Sequence, residues 1–345
     1  MEGTPKRPWS DLPPELLSMI GSRLQTRTDV LWFRSVCSSF RTSIPLPAQR
    51  FPFRIPCSPV PDLFLRESTV YTLETPADGA ASNRARCLVK LRESDLGNMR
   101  ILSLFSRRPV ASLPLKFREV LDSLQFRMVE VCREYTLEYD RGTGAYPIMK
   151  KVVVHPDCVW TDLDQCSVYF IDQDHLCYWK YGDETWSHLG RGYDDIVVYE
   201  GKVCVVDKMG SVSQIDSSFG LRHFSPPIDG GNHGGSQKRL VVSSGNLYVV
   251  DIRIRGKRRC DFRVYRLDQQ CGRWEEVRSL GNSAFFLCSL CSFAVSAREL
   301  DGCEGDCIYY VSRDVKVFSL ADRSHKSPDF LVYCVDEERL LGFWQ

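Results

Sequence analysis

Four short apolar runs of one kind recur along the second half of the chain: VYFID ending at Asp172, VCVVD ending at Asp207, LYVVD ending at Asp251, and IYYVS at Ile308–Ser312. Each is followed by a turn and a second alternating run: LCYWKYGDETWSHL, SVSQID, FRVYRLDQQCGRWEEV and KVFSLADR. Trp186 and Trp274 hold equivalent places beside polar turns. Several short strands repeated every roughly 40–45 residues are the pattern of a β-propeller blade. One blade cannot cover both faces of its own sheet, so neighbours must supply the cover. His155–Arg323 has room for four blades and Leu63–Val154 for two more. The expectation is six, with seven blades or a β-sandwich as alternatives.

The stretch ahead of these strands follows a different rule. In Trp9–Ile44, Ser10 and Asp11 can cap a helix, and Pro13 and Pro14 suit its first turn, where a missing N–H costs nothing. Leu16, Leu17, Ile20 and Leu24 then form one apolar stripe. After a break at Gln25–Arg27, Thr28 and Asp29 can cap a second helix with Val30, Phe33, Val36, Cys37 and Phe40 inside. So short a segment cannot hide its apolar surface alone and needs a partner. Six prolines between Pro45 and Pro61 then make a stiff connector, with Phe51, Phe53 and Ile55 alternating as in an edge strand. Beyond Leu63, STVYTLET, RCLVKLRE, RILSLFS and FRMVEVCREYTLEY read as strands, while Lys116–Leu124 has a brief helical period. The fold class is α+β and multidomain: a small all-α head (8–44), a linker (45–62) and an all-β propeller (63–345).

Leu12-Pro13-x-Glu15-Leu16-Leu17-x-x-Ile20, Leu24, Asp29-Val30-Leu31, Val36-Cys37 and Phe40-Arg41 resemble an F-box in order and spacing. The resemblance implies that Leu12, Pro13, Leu16, Leu17, Ile20, Leu24, Val30, Leu31, Val36, Cys37 and Phe40 dock onto a Skp-type adaptor. Through it the chain would join a cullin-RING ubiquitin ligase. Further on, PLKFREVLDSLQFRMVEVCREYTLEY, MKKVVVHPD, YDDIVVYEGKVCVVDKMGSV, DFRVYRLDQQCGRWEEVRSLG and CSFAVSARELDGCEGDCIYYV look like the plant-specific propeller domain that accompanies F-boxes of the SKIP/KIB type. That match covers Leu113–Leu320. It implies a substrate-recognition subunit of an SCF-type ligase, with no catalytic centre of its own and an unknown protein substrate.

Composition narrows the classes. Lys+Arg number 45 and Asp+Glu 44, a net charge of +1, which gives no bulk attraction to nucleic acid or membrane surfaces. No apolar run reaches the roughly 18–20 residues of a membrane span, and Met1–Pro8 lacks a signal-peptide core. Fifteen cysteines at irregular spacing, mostly within apolar runs, are read as buried thiols in a reducing compartment, nucleus or cytoplasm.

No metal or cofactor is expected. Cys288-x-x-Cys291 with Cys303-x3-Cys307 has a ligand-like spacing, but residues three apart on one continuous strand point to opposite faces. The acidic pairs Asp194-Asp195 and Glu275-Glu276 fail as shared-site dyads for the same reason. No nucleophile elbow or phosphate-binding loop occurs. The basic run around Arg255, Lys257, Arg258 and Arg259 reads as a solvated hairpin end that could also grip an acidic segment. His233 lies in the Gly-rich connection Pro226–Lys238. With Thr75–Arg86 and Leu189–Asp194, these connections are the candidate substrate-binding surface. A propeller hydrolase and a ligase-independent F-box scaffold are the competing classes.

Overall fold

The computed structural model describes residues 9–48, 50–55, 63–74, 86–93, 99–105, 109–112, 127–140, 145–147, 151–228, 236–255, 259–312 and 314–328. The helical period expected at Lys116–Leu124 lies outside them. The chain divides into two compact units. One is Met1–Arg50 together with Pro156–Cys166; the other is Phe51–His155 with Ser167–Gln345.

The helical unit has three helices, α1 (Pro14–Gly21), α2 (Arg27–Ser35) and α3 (Ser38–Ser43). Pro14 opens α1 as expected, while Ser10 and Asp11 lie in a short 3-10 turn and the N-cap position is Pro13. The cap of α2 is Thr26, whose hydroxyl accepts from the Asp29 N–H at 3.0 Å. That is two residues earlier than the expected Thr28, because Thr26 is the residue still in extended geometry. Leu17, Val30, Phe40 and Ile44 are buried together with Gly21. The rings of Phe33 and Phe40 lie 4.7 Å apart.

The β unit is built of mainly antiparallel sheets that follow one another along the chain. Lys151–His155, Ser167–Asp172, His175–Lys180 and Ser187–Arg191 pair in succession. Tyr193–Tyr199, Lys202–Asp207, Val212–Ile215 and Leu221–Ser225 make the next sheet, and Ser236–Ser243, Asn246–Arg255, Arg259–Asp268 and Arg273–Val277 the one after. The last sheet runs Ser292–Ser296, Ser283–Leu287, Cys307–Val311, Val315–Ser319, His325–Lys326. Within it Ser283–Leu287 lies parallel to Cys307–Val311.

Ahead of these, Leu63–Glu74 and Arg127–Asp140 pair along their lengths, with a bulge between Val70 and Tyr71. Arg86–Glu93, Met99–Leu102 and Pro109–Ser112 extend that sheet on one side. Phe53–Ile55 pairs with Leu63–Leu65, so part of the proline-rich connector is sheet. Two blades were expected over Leu63–Val154. The described strands there form one continuous long-stranded sheet, joined to Lys151–His155 through Tyr135 and Val152, so six separate blades are not what they build.

Each sheet buries its face against the next. Ile171, Ile196 and Val205 share one cluster, Val206, Leu240 and Val249 a second, and Val250, Phe262, Phe285 and Ile308 a third. A fourth cluster returns to the beginning: Val70 and Leu88 of the first sheet, with Leu104 and Phe105 of the bend after Met99–Leu102, pack on Phe286, Phe293 and Tyr309 of the last. Two backbone links run along this joint, from the Ser289 N–H to the Phe105 carbonyl at 3.4 Å and from the Asp301 N–H to the Arg86 carbonyl at 3.2 Å. Among the described residues the first and last sheets thus meet by packing and not by a shared sheet.

Candidate docking and receptor surfaces

The apolar side chains of the helical unit separate into two groups. Leu17, Val30 and Phe40, expected as adaptor contacts, point inward, at 0%, 0% and 8% exposure. They lie in the interior of the helical unit, one on each helix. Leu16, Ile20, Leu31 and Val36 remain outside, at 45%, 41%, 42% and 62%. Pro13 is exposed as well, while Leu12, Leu24 and Cys37 are half-buried. Leu16, Met19 and Ile20 stand three and four residues apart on α1, so they share one face. Met19 and Trp9, which the sequence reading did not single out, are also exposed.

The partner that the helices need is supplied in part by the chain itself. Pro156–Cys166 leaves a sheet after His155, joins the helical unit and returns at Ser167. Trp160 Nε1 donates to the Leu24 carbonyl at 2.9 Å, in the turn between α1 and α2. Arg50 Nη1 donates to the Cys158 carbonyl at 3.0 Å and lies 3.9 Å from the Asp157 carboxylate. The Cys166 thiol closes the excursion on the Pro156 carbonyl at 3.1 Å. Nothing in the run HPDCVWTD announces this role, because it depends on a contact between residues 136 positions apart.

On the β unit, Asn246–Arg255 and Arg259–Asp268 pair antiparallel as far as Arg255 opposite Arg259. Lys257, Arg258 and His233, and the side chains of Arg255 and Arg259, lie outside the described residues. Just inside the tip, Arg253 donates to Asp251 at 2.8 Å and Arg323 to Asp261. Leu189–Asp194, expected as a long connection, is strand on both sides of Gly192. Glu275 and Glu276 pair separately with Arg266 and Arg263.

Asp194 and Asp195 act as neither a dyad nor a loop. The Asp194 carboxylate accepts the Lys238 N–H at 2.9 Å and the Asp195 carboxylate the Leu240 N–H at 2.7 Å, so the pair holds the first strand of the next sheet. Asp195 also meets Lys151 at 2.6 Å, and Lys238 meets Asp251 at 2.8 Å. These buried charges are paired between and within sheets, as burial requires.

Cys288 and Cys291 do not lie on one continuous strand. They flank the turn between Ser283–Leu287 and Ser292–Ser296, where the Cys288 N–H donates to the Cys291 carbonyl at 3.0 Å. A chain reversal puts them opposite each other, so the parity argument does not apply. Cys132 of the first sheet joins them, and hydrogen bonds to Cys132 and then Cys288, with the nearby Lys90 ammonium, hold the Cys291 thiol well below its usual range. Lys90 Nζ lies 2.5 Å from Glu134. Burial and then the Cys291 sulfur outweigh that ammonium, and the Glu134 carboxyl is pushed up to about 8. Cys303 and Cys307 titrate high, at about 11, chiefly through burial. Among the described residues no group of three or more His, Cys, Asp or Glu is arranged to hold a metal ion.

The sequence pattern of the KIB1-4 beta-propeller family matches residues 60–336. An Arabidopsis thaliana protein provisionally named as an F-box protein is 35% identical over 320 residues, covering 83% of each chain. Another F-box protein of that plant is 30% identical over 351 residues, covering 92% of each. F-box protein SKIP23, also from Arabidopsis thaliana, is 27% identical over 88% of this chain and 83% of its own. With exposed apolar helices ahead of a run of packed antiparallel sheets, the chain belongs to the plant F-box proteins of the SKIP/KIB type, which carry the KIB1-4 beta-propeller.

Proposed function

We propose that this protein is the substrate-recognition subunit of an SCF-type cullin-RING ubiquitin ligase, working in the nucleus or cytoplasm. Residues 8–44 dock a Skp-type adaptor and residues 63–345 capture a protein substrate. One observation carries the reading: a helical unit with its own buried core still presents Leu16, Ile20, Leu31 and Val36 to solvent. Side chains not needed for folding, and costly to leave wet, favour a partner of apolar chemistry. The likeness to F-box proteins supports reading that partner as a Skp-type adaptor. The β unit contributes no chemistry in this reading. Its strands are committed to packing, so the connections between them carry substrate contacts, the basic hairpin tip included.

The test is Leu16→Asp with Ile20→Asp in the full chain, measured by calorimetric titration with a purified Skp-type adaptor. Both positions are exposed, so the helices stay folded. A charge forced into a dry contact costs several kcal/mol, and at about 1.4 kcal/mol per tenfold the affinity should fall at least about a hundredfold. Unchanged binding would remove the docking assignment. Proximity labelling with and without proteasome inhibition would then name the substrate.

A further inference from the structure

We infer that the docking head is bipartite, and that Trp160, carried by the excursion between two strands of the β unit, is a positioning residue for the adaptor-binding surface. The inference rests on the docking role proposed above. α1 and α2 span 8 and 9 residues, shorter than the about 12–15 residues at which isolated helices become even marginal in water. Their mutual placement is set by the turn from Ser22 to Thr26. Inside that turn the Arg23 and Leu24 N–H groups are used by the Ile20 and Gly21 carbonyls, each at 3.1 Å. The Leu24 carbonyl points the other way and is taken by the Trp160 indole at 2.9 Å.

The excursion also grips the far end of the head. Arg50, which follows α3 and its proline-rich exit, donates to the Cys158 carbonyl at 3.0 Å and to the Cys166 sulfur at 3.4 Å. Arg27 at the start of α2 donates to the Pro47 carbonyl at 3.1 Å, so the exit is tied back to the helices. The excursion is braced internally, by Thr161 N–H on the Cys158 carbonyl and Gln165 N–H on the Asp162 carbonyl, both at 3.0 Å. A braced segment that holds both the α1–α2 turn and the exit from α3 keeps Leu16 and Ile20 of α1 in register with Leu31 of α2. A surface ordered in advance spares the adaptor that ordering cost on binding. Trp160 touches no adaptor in this arrangement; it acts through Leu24.

The experiment uses the full chain with Trp160→Phe, which keeps an aromatic ring and removes the indole N–H, and Trp160→Ala, which removes both. Loss of one hydrogen bond should weaken adaptor affinity about three- to tenfold in the Phe variant. The Ala variant should lose more than about tenfold, and Phe should therefore rescue part of the loss. Amide exchange should quicken from Arg23 to Val30 in both variants, with protection in the β sheets unchanged. Wild-type affinity in both variants, or unchanged protection of the turn, overturns the inference. If Trp160→Ala aggregates, Trp160→Phe and Arg50→Lys decide by the same two readouts. A wild-type chain that binds no adaptor overturns the docking role itself. In that case the adaptor-positioning role falls with it, and lost turn protection in the variants would show only that Trp160 braces the α1–α2 turn.

Discussion

Glu134 is the residue whose chemistry departs furthest from what its position in RMVEVCREYTLEYD suggests. It sits in an alternating strand, where a Glu would ordinarily face water. Here both sides of the strand are covered, and its carboxyl lies among Lys90, Cys132 and Cys291. The pKa rises from 4.5 to about 8, so the folded chain holds a proton that the unfolded chain releases from pH 4.5 upward. Below about 4.5 both states are protonated and the group carries no penalty. Between about 4.5 and 8 the unfolded chain ionises this acid while the folded chain keeps it protonated, so stability falls across that window by up to about 1.4 kcal/mol per pH unit from this one group, and the fall ends once the folded state ionises above 8. Glu134→Gln should flatten this part of the profile in urea titrations between pH 5 and 8.5. A variant with the same slope as the wild type would mean another group is responsible. The residue pattern could not reveal this, since burial on the second face is contributed by the last sheet.

At the scale of the element, α1 shows where helix propensity and packing disagree. Gly21 ends the helix, and Ala in its place would be favoured by about 0.8–1 kcal/mol on propensity alone. A Cβ there would stand 2.5 Å from Ile44 Cγ2 and 2.8 Å from its Cδ1. Ile44 is β-branched and buried at 4% exposure, so it has little room to give. Gly21→Ala should therefore destabilise the helical unit by about 1–3 kcal/mol, the range of overpacking, despite the better helix former. Amide exchange within α1 and α3 measures it; slower exchange would show that Ile44 moves aside without cost. The apolar stripe Leu16, Leu17, Ile20 and Leu24 was legible from spacing. Which members fold the unit and which stay outside was not, because that division depends on where α3 and Pro156–Cys166 lie. A charge at Leu17 would accordingly disrupt the helices, while one at Ile20 would leave them intact.

For the whole molecule, the decisive joint lies between the first sheet and the last. Phe286, at 0% exposure, stacks on Phe293 at 5.2 Å and on Tyr309 at 4.6 Å, with Phe105, in the bend that follows Met99–Leu102 of the first sheet, 6.1 Å away. Truncating a fully buried Phe costs about 3–5 kcal/mol. Because successive sheets cover one another in turn, Phe286→Ala should quicken amide exchange on both sides of the joint, in Leu63–Glu74 as well as Ser283–Leu287. Loss confined to the last sheet would show that the first does not depend on it. The same joint carries the reversal at Cys288 and Cys291 and the Arg86–Asp301 links, which tie residues over two hundred positions apart.

What this sequence determined by itself is local and periodic. The F-box spacing of Leu12 through Phe40, the repeated runs ending at Asp172, Asp207 and Asp251, and the proline-rich break all follow from side-chain period and backbone chemistry, which act over a few residues. The tertiary structure decided what depends on the other face of each element. It made one long-stranded sheet where two blades were expected, turned Asp194 and Asp195 from a failed dyad into a brace for the next sheet, and placed Cys288 opposite Cys291. It also drew Trp160 into a helical unit that begins far ahead of it in the chain. Burial and long-range pairing are properties of two segments at once, and no spacing within one of them encodes which partner arrives.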